Sequence, residues 1–213
     1  MSPRSNPELR TRAAHAPRAT KDALIRAALE SFYEKGFEAT SVQEIVDRAK
    51  LTKGAFYHHF QSKDDVLVLI HDAFMDQQIE IIDTIQGSSL TPVEALSRLI
   101  EEIVVCAETF RLHQTIFFEQ RRFIATDRFA AVKDKRDRFE LGVRQIIDRG
   151  IAAGDFVSLL NSRVIAFGII GMSAWTYQWL KEGPLTPREI GRAYAQLVLE
   201  GLGAPTGSDT LGS

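Results

Sequence analysis

The stretch SVQEIVDRAKLTKGAFYHHFQSK, from Ser41 to Lys63, decides the fold. Ser41 is followed three residues later by Glu44, a capping-box pattern that marks the start of a helix. Thr52 is a second N-cap residue, so another short helix should run from there to Phe60. The stretch therefore predicts two short helices joined by a tight turn.

The second of these helices is predicted to have an apolar face and a polar face. Lys53 and Tyr57 are four residues apart, as are Gly54 and His58, so both pairs lie on the polar face. Gly54 and Ala55 are small and permit a close approach of the backbone. Such a helix can enter the major groove of DNA with its N-terminal end facing base edges. The residues expected at base edges are Thr52, Lys53 and His58.

Helical periodicity covers nearly all of the remaining sequence, which predicts an all-α fold of about nine helices. Thr20 should cap a first helix that ends at Gly36, and Ser62 with Asp65 should start a long helix that ends near Gly87. Further helices are expected over 92–110, 113–123, 128–151, 162–181 and 187–202. The predicted organisation is a flexible basic arm (1–19), an N-terminal domain (20–66), a C-terminal domain (67–202) and a flexible tail (203–213).

The composition narrows the class of protein. The chain has 213 residues and 45% hydrophobic residues, which is enough for a real core. Its single cysteine, Cys106, excludes an internal disulfide and favours a cytoplasmic protein. No signal peptide is visible, and the longest apolar run, Val164–Trp175, is far shorter than the about twenty residues that span a membrane. A membrane partner is therefore not expected.

The charge is unevenly distributed although the net charge is only −2. Residues 1–21 contain five basic side chains and one acidic one. A cationic end on an acidic body suits phosphate binding, and a solvated tail without a partner explains it equally well.

The motif positions resemble the DNA-binding domain of TetR-family regulators. The matching residues are Gly36-Phe37, Ala39-Thr40-Ser41-Val42, Ile45, Ala49, Thr52-Lys53-Gly54, Tyr57-His58-His59-Phe60 and Ser62-Lys63. The resemblance implies a dimeric repressor of palindromic operator DNA that a small apolar effector releases. It also implies phosphate contacts for Thr40, Tyr57 and Lys63. The expected DNA-binding set is Thr40, Ser41, Thr52, Lys53, Gly54, Ala55, Tyr57, His58 and Lys63.

Aromatic residues are frequent in the second half, where core packing is their usual role. The resemblance implies that some of them line an effector cavity, with His113, Gln114, Thr115 and Gln120 available to orient the effector. The expected ligand-binding set is His113, Phe117, Phe118, Gln120, Arg121, Phe123, Trp175 and Trp179. The segment from Trp175 to Tyr194 resembles TetR-type regulators of steroid and fatty-acid catabolism, which respond to acyl-CoA thioesters. The cations that would suit the phosphates of such an effector are Arg121, Arg122, Arg128 and Lys133.

The last two helices are predicted to form a dimer surface. The last helix has an apolar stripe, and the preceding helix contains small residues and is apolar on nearly every face. The expected interface residues are Gly168, Gly171, Ile190, Tyr194, Leu197 and Val198. The alternative is that these helices only close the core of the monomer.

Other functions have less support. An enzyme would need a catalytic motif, and the run from Gly171 to Trp175 lacks the final glycine of a nucleophile elbow. His58 and His59 point about 100° apart on a helix, so a shared metal ion is not expected, and neither is a cofactor. A DNA-binding regulator or scaffold without a small-molecule ligand remains the alternative.

Overall fold

The structure is a computed structural model that describes residues 7–120, 126–157, 161–180 and 183–203. All regular elements in those ranges are helices, which confirms the all-α prediction. They are α1 Pro7–Lys35, α2 Val42–Ala49, α3 Lys53–His59, α4 Lys63–Gln86, α5 Pro92–Thr109, α6 Arg111–Gln120, α7 Thr126–Ala153, α8 Ser162–Ala174, α9 Thr176–Trp179 and α10 Pro187–Gly201. Of the predicted site residues, Arg121 and Phe123 lie outside the described residues, as does the tail beyond Gly203.

The chain divides into two compact units. The first comprises Met1–His71 with Ile116–Ala125. Helices α1 to α3 pack around side chains that are fully buried, among them Leu24, Ile45 and Phe56. Gly36 ends α1 as the sequence predicts, with a φ of 85° that an L side chain rarely adopts.

The second unit comprises Asp72–Thr115 and Thr126–Ser213, and α5 is its central helix. Its fully buried side chains include Leu96, Leu99, Ile100 and Ile103. Helix α10 packs closely on α5, because a Cβ at Gly191 would lie only 2.7 Å from the Glu101 Cα. Among the described helices, none is long and apolar enough to cross a membrane.

Two helices differ from the sequence prediction. Helix α1 begins at Pro7, so residues 7–19 are helical where a flexible arm was expected. Proline is favoured at the first helical position, and alanine and arginine, frequent in this stretch, are good helix formers. The helix predicted over 162–181 is split after Ala174. The Thr176 hydroxyl donates a buried hydrogen bond of 2.7 Å to the Ser173 carbonyl, a local bond that competes with a continuous helix.

Candidate nucleic-acid interface

A complete capping box fixes the start of α2. The Ser41 hydroxyl accepts a hydrogen bond from the Glu44 backbone N–H at 3.2 Å, and the Glu44 carboxylate accepts one from the Ser41 N–H at 2.8 Å. Lys35, the last residue of α1, donates to the same carboxylate at 2.5 Å. The Lys35 ammonium, followed by the Ser41 donors, lowers the pKa of Glu44 to about 2. The carboxylate therefore stays ionised and joins the end of α1 to the start of α2.

The far end of α2 is held to α1 by charge. The Arg48 guanidinium pairs with the Glu34 carboxylate, and a second nitrogen lies 3.3 Å from the Glu30 carboxylate. The hydrogen bond from Arg48 lowers the pKa of Glu34 below its usual value. No sequence motif indicates these pairs, because their members are distant in the chain. They fix the position of α2 on α1.

The turn between α2 and α3 uses left-handed backbone. Lys50 has a φ of 56°, and its N–H donates to the Asp47 carbonyl at 3.1 Å. The Leu51 N–H donates to the Val46 carbonyl at 2.8 Å. These bonds satisfy the last carbonyls of α2 and reverse the chain within a few residues.

Helix α3 has the two faces that the sequence predicts. The Thr52 hydroxyl caps it by accepting a hydrogen bond from the Ala55 N–H at 3.2 Å. Phe56 and Phe60 are buried and anchor one face. The opposite face is open to solvent, with 57% of Tyr57 exposed. The exposed residues on this face and at its start are Thr52, Lys53, Gly54, Tyr57 and His58, while Ala55 is half-buried and Ser41 is exposed at the start of α2.

Gly54 is not required by the packing of the first unit. A Cβ added there would contact only the Thr52 hydroxyl oxygen, at an ordinary 3.7 Å. Glycine is also a poor helix former. The small residue therefore leaves room on the solvent side of α3, not on the protein side.

Thr40 and Lys63 direct their polar atoms into the protein. Only 1% of Thr40 is exposed, and its hydroxyl lies 2.8 Å from the Gly36 carbonyl oxygen and 3.2 Å from that of Ser31. The Lys63 ammonium donates to carbonyls of the turn between α1 and α2. The phosphate contacts expected of both side chains would require these internal hydrogen bonds to be exchanged.

The predicted ligand residues are found in different surroundings. Phe117 is buried in the first unit, with its ring centroid 4.2 Å from that of His71. Phe118 is more open, with 38% exposed, and Gln120 is half-buried.

In the second unit, 60% of Trp175 and 46% of Trp179 are exposed, so both tryptophans are surface residues of the chain. His113 is half-buried beside Phe110, and burial lowers its pKa.

Gln114 is the polar residue of α6 that stands out in the structure. It is fully buried, and neither its amide nitrogen nor its amide oxygen has a hydrogen-bond partner among the residues that the structure describes. The Nε atom of Arg111, one turn earlier, is also buried without a partner. The sequence placed Gln114 near the ligand residues, but its burial depends on tertiary packing that no local pattern shows.

The predicted dimer residues separate into two groups. Gly168 and Gly171 are exposed on α8, and a Cβ at either would meet no atom within 4 Å. Leu197 is 60% exposed on α10. Ile190 is 5% exposed and packs against the core residues Val104 and Leu180, so within one chain it is a core residue and its expected role in an interface stays a prediction. The half-buried Tyr194 and Val198 pack against the core of the second unit.

Two large apolar residues precede the α8 glycines in the chain and are exposed. Val164 and Phe167, both on α8, are 62% and 54% exposed. Together with Gly168 and Gly171 they follow the i, i+3, i+4, i+7 spacing of one helix face, so the dimer surface expected on α8 stays a prediction. Within the described residues, no three His, Cys, Asp or Glu side chains converge as metal ligands would.

Comparison with known proteins gives the family. The model for bacterial regulatory proteins of the tetR family matches residues 24–70, and that for the tetracyclin repressor-like C-terminal domain matches residues 89–202. The HTH-type transcriptional repressor KstR2 of Mycobacterium tuberculosis (strain ATCC 25618 / H37Rv) is 27% identical over 182 residues, covering 84% of this chain and 90% of that protein.

Solved structures agree with this match. The ketosteroid transcriptional regulator KstR2 of Mycobacterium tuberculosis superposes with a TM-score of 0.75 at 26% identity, over 86% of this chain and 94% of that chain. AibR in complex with isovaleryl coenzyme A and operator DNA shares the fold, with a TM-score of 0.73 at 23% identity over 84% of this chain and 97% of that chain. With one family model covering more than half of its length, the chain belongs to the tetR family of bacterial regulatory proteins and is a transcriptional regulator.

Proposed function

We propose that the protein is a cytoplasmic repressor that binds a palindromic operator as a homodimer and leaves it when an acyl-CoA thioester binds. The observation that carries DNA binding is the capped helix α3, whose polar face is exposed and whose glycine serves no packing purpose. KstR2, which covers most of the chain, is itself a transcriptional repressor.

The exposed residues of α3 take the direct contacts in this proposal. Tyr57, more than half exposed, contacts a phosphate, and the exposed Ser41 at the start of α2 lies at the edge of the DNA-binding surface. Thr52, Lys53 and His58 face base edges. Phosphate contacts set the register on the duplex, whereas base contacts carry the sequence preference. Thr40 and Lys63 build the frame that holds α2 and α3.

Footprinting on the DNA upstream of the protein's own gene tests operator binding. A dimer should protect two half-sites about 34–36 Å apart, one helical turn. Lys53→Ala and His58→Ala should change the preferred sequence, with about 1–3 kcal/mol per lost base contact. Tyr57→Phe should weaken all sites equally. Absence of a protected site, or an unchanged preference in both alanine variants, would contradict the proposal.

Gln114 supports an effector site. An unpaired buried amide costs about 1–3 kcal/mol, and a ligand that offers both an acceptor and a donor would remove that cost. An acyl-CoA supplies them through its thioester carbonyl and the amides of its pantetheine arm. The basic residues proposed for its phosphates are Arg121, Arg122, Arg128 and Lys133, of which Lys133 pairs with Asp137 in the structure.

Calorimetric titration of acyl-CoA thioesters with and without operator tests the effector. Operator must lower effector affinity by the same factor by which effector lowers operator affinity. Free coenzyme A and the free carboxylic acids are the controls. Gln114→Met keeps the length of the side chain, and should raise the free energy of unfolding while abolishing the response. Operator binding that no thioester changes would favour a regulator without a small-molecule ligand.

A further inference from the structure

The ammonium group of Lys63 is fully occupied by backbone carbonyls. It donates to the carbonyl oxygens of Phe37 at 2.6 Å, Glu38 at 3.2 Å and Thr40 at 3.1 Å. It also lies 4.4 Å from the centroid of the Phe37 ring. A lysine ammonium has three donor hydrogens, so none is left for another acceptor.

This arrangement compensates for an unfavourable position. Lys63 is the first residue of α4, where the helix dipole disfavours a cation. The next residues follow the usual preference, since the Asp65 carboxylate accepts hydrogen bonds from the Gln61 and Ser62 N–H groups. Charge-assisted hydrogen bonds are roughly twice as strong as neutral ones, so the three carbonyls can hold the ammonium there.

The turn that Lys63 holds also leads into α2. It runs from Gly36 to Ser41, and Ser41 is the N-cap of α2. The Thr40 hydroxyl lies within hydrogen-bond distance of the Gly36 carbonyl inside the turn and of the Ser31 carbonyl in the last part of α1. The turn is thus bound from one side by α1 and from the other by the first residue of α4.

We propose that Lys63 is a positioning residue for operator binding: it fixes the start of α4 to the α1–α2 turn and so sets the orientation of α2 and α3, without pairing with a DNA phosphate. The inference rests on the proposed function. It changes the role that the family resemblance gives to this lysine, because the resemblance implies a phosphate contact and the geometry directs the ammonium inward.

Arginine distinguishes the two roles. A guanidinium keeps the charge and binds phosphate at least as well as an ammonium does. The N–H donors of a guanidinium are spread over three nitrogens in one plane. They cannot reproduce the three hydrogen bonds that a single ammonium nitrogen donates to the surrounding carbonyls. Lys63→Arg should therefore preserve a phosphate contact and break the positioning contact, while Lys63→Met removes both.

Operator affinity measured over a range of salt concentrations is the first test. We expect Lys63→Met and Lys63→Arg to weaken operator binding by about tenfold or more, with the salt dependence of the wild type. A wild-type affinity in Lys63→Arg would overturn the proposal. So would a fall of about 0.9 in the salt slope of Lys63→Met, which is the signature of one lost phosphate contact.

Hydrogen exchange of the free protein is the second test, and it does not depend on operator binding. Both Lys63 variants should exchange faster over residues 37–41, whereas Lys53→Met, the same change at an exposed lysine of α3, should not. If Lys63→Met does not fold, the Lys63→Arg data decide, with thermal melting as the check. Unchanged exchange over 37–41 in Lys63→Arg would refute the positioning role. A wild-type protein that binds no operator would instead refute the proposed function.

Discussion

Helices α3 and α8 both leave one face uncovered, but the two faces have opposite chemistry. The face of α3 presents Lys53, Tyr57 and His58, while that of α8 presents Val164 and Phe167. Both faces carry glycines that the packing of the described residues does not require, because a Cβ there would meet open space or an ordinary contact. The proposed function assigns a DNA groove to the polar face of α3 and a second copy of the chain to the apolar face of α8.

The glycines of the core provide the contrast. At Gly191 an added Cβ would lie 2.7 Å from the Glu101 Cα, and at Gly142 it would lie 2.6 Å from the Ile82 side chain. These residues are required by the fold itself. Substitution of glycines at the three kinds of position should therefore separate assembly, stability and DNA binding.

The largest effect is expected for Gly171→Arg. The α8 face would then place a charge in an apolar interface, and in a two-fold dimer the same charge would enter from the partner. Mispaired charge at an interface costs several kcal/mol, so the dimer should dissociate at least about a hundred times more readily. Sedimentation equilibrium measures this, and circular dichroism should show a folded monomer because Gly171 is exposed and an added Cβ meets no described atom within 4 Å.

Leu141→Arg is the matched control for that substitution. Leu141 is 40% exposed on α7, away from the proposed face in sequence. The variant should remain a dimer and bind operator. If Leu141→Arg dissociates and Gly171→Arg does not, the interface is formed by α7 and the assignment to α8 is wrong.

A smaller effect, on stability alone, is expected for Gly191→Ala. The added methyl group would be forced against the backbone of α5, and overpacking of this kind costs about 1–3 kcal/mol. Urea denaturation measures the loss. Gly201→Ala, at the end of the same helix, meets no atom within 4 Å and should be neutral or stabilising. Equal stability of both variants would mean that α10 can move away from α5 at little cost.

The helix boundaries of the N-terminal domain could be predicted from the sequence, because they depend on local capping residues. Ser41 and Glu44 form the expected capping box, and Gly36 ends α1 as expected, because caps depend on residues a few positions apart. The inward orientation of Lys63 could not be predicted, since its acceptors lie 23 to 26 residues away.

In the C-terminal domain, too, contacts between distant parts of the chain could not be predicted. Ile190 fits the apolar stripe of the last helix, and within one chain it packs against the core residues Val104 and Leu180. The periodicity that identifies an apolar face does not identify which surface will cover it. For the same reason, the sequence could not reveal that Gln114 is buried with no hydrogen-bond partner in the described part of the chain.

The smallest effect is expected for Gly54→Ala, which tests whether the open face of α3 meets DNA. Alanine is a better helix former than glycine by about 0.8–1.0 kcal/mol, and the new methyl group meets only the Thr52 hydroxyl at 3.7 Å. The free energy of unfolding should therefore stay the same or rise by up to about 1 kcal/mol. Operator binding should nevertheless weaken by roughly five- to tenfold, because the methyl group would occupy the space in which the backbone of α3 approaches the major groove. Urea denaturation and operator titration of the same preparation separate the two effects. A variant that gains stability and keeps full operator affinity would show that the open face of α3 near Gly54 does not meet DNA, and the surface would then have to be sought nearer Tyr57.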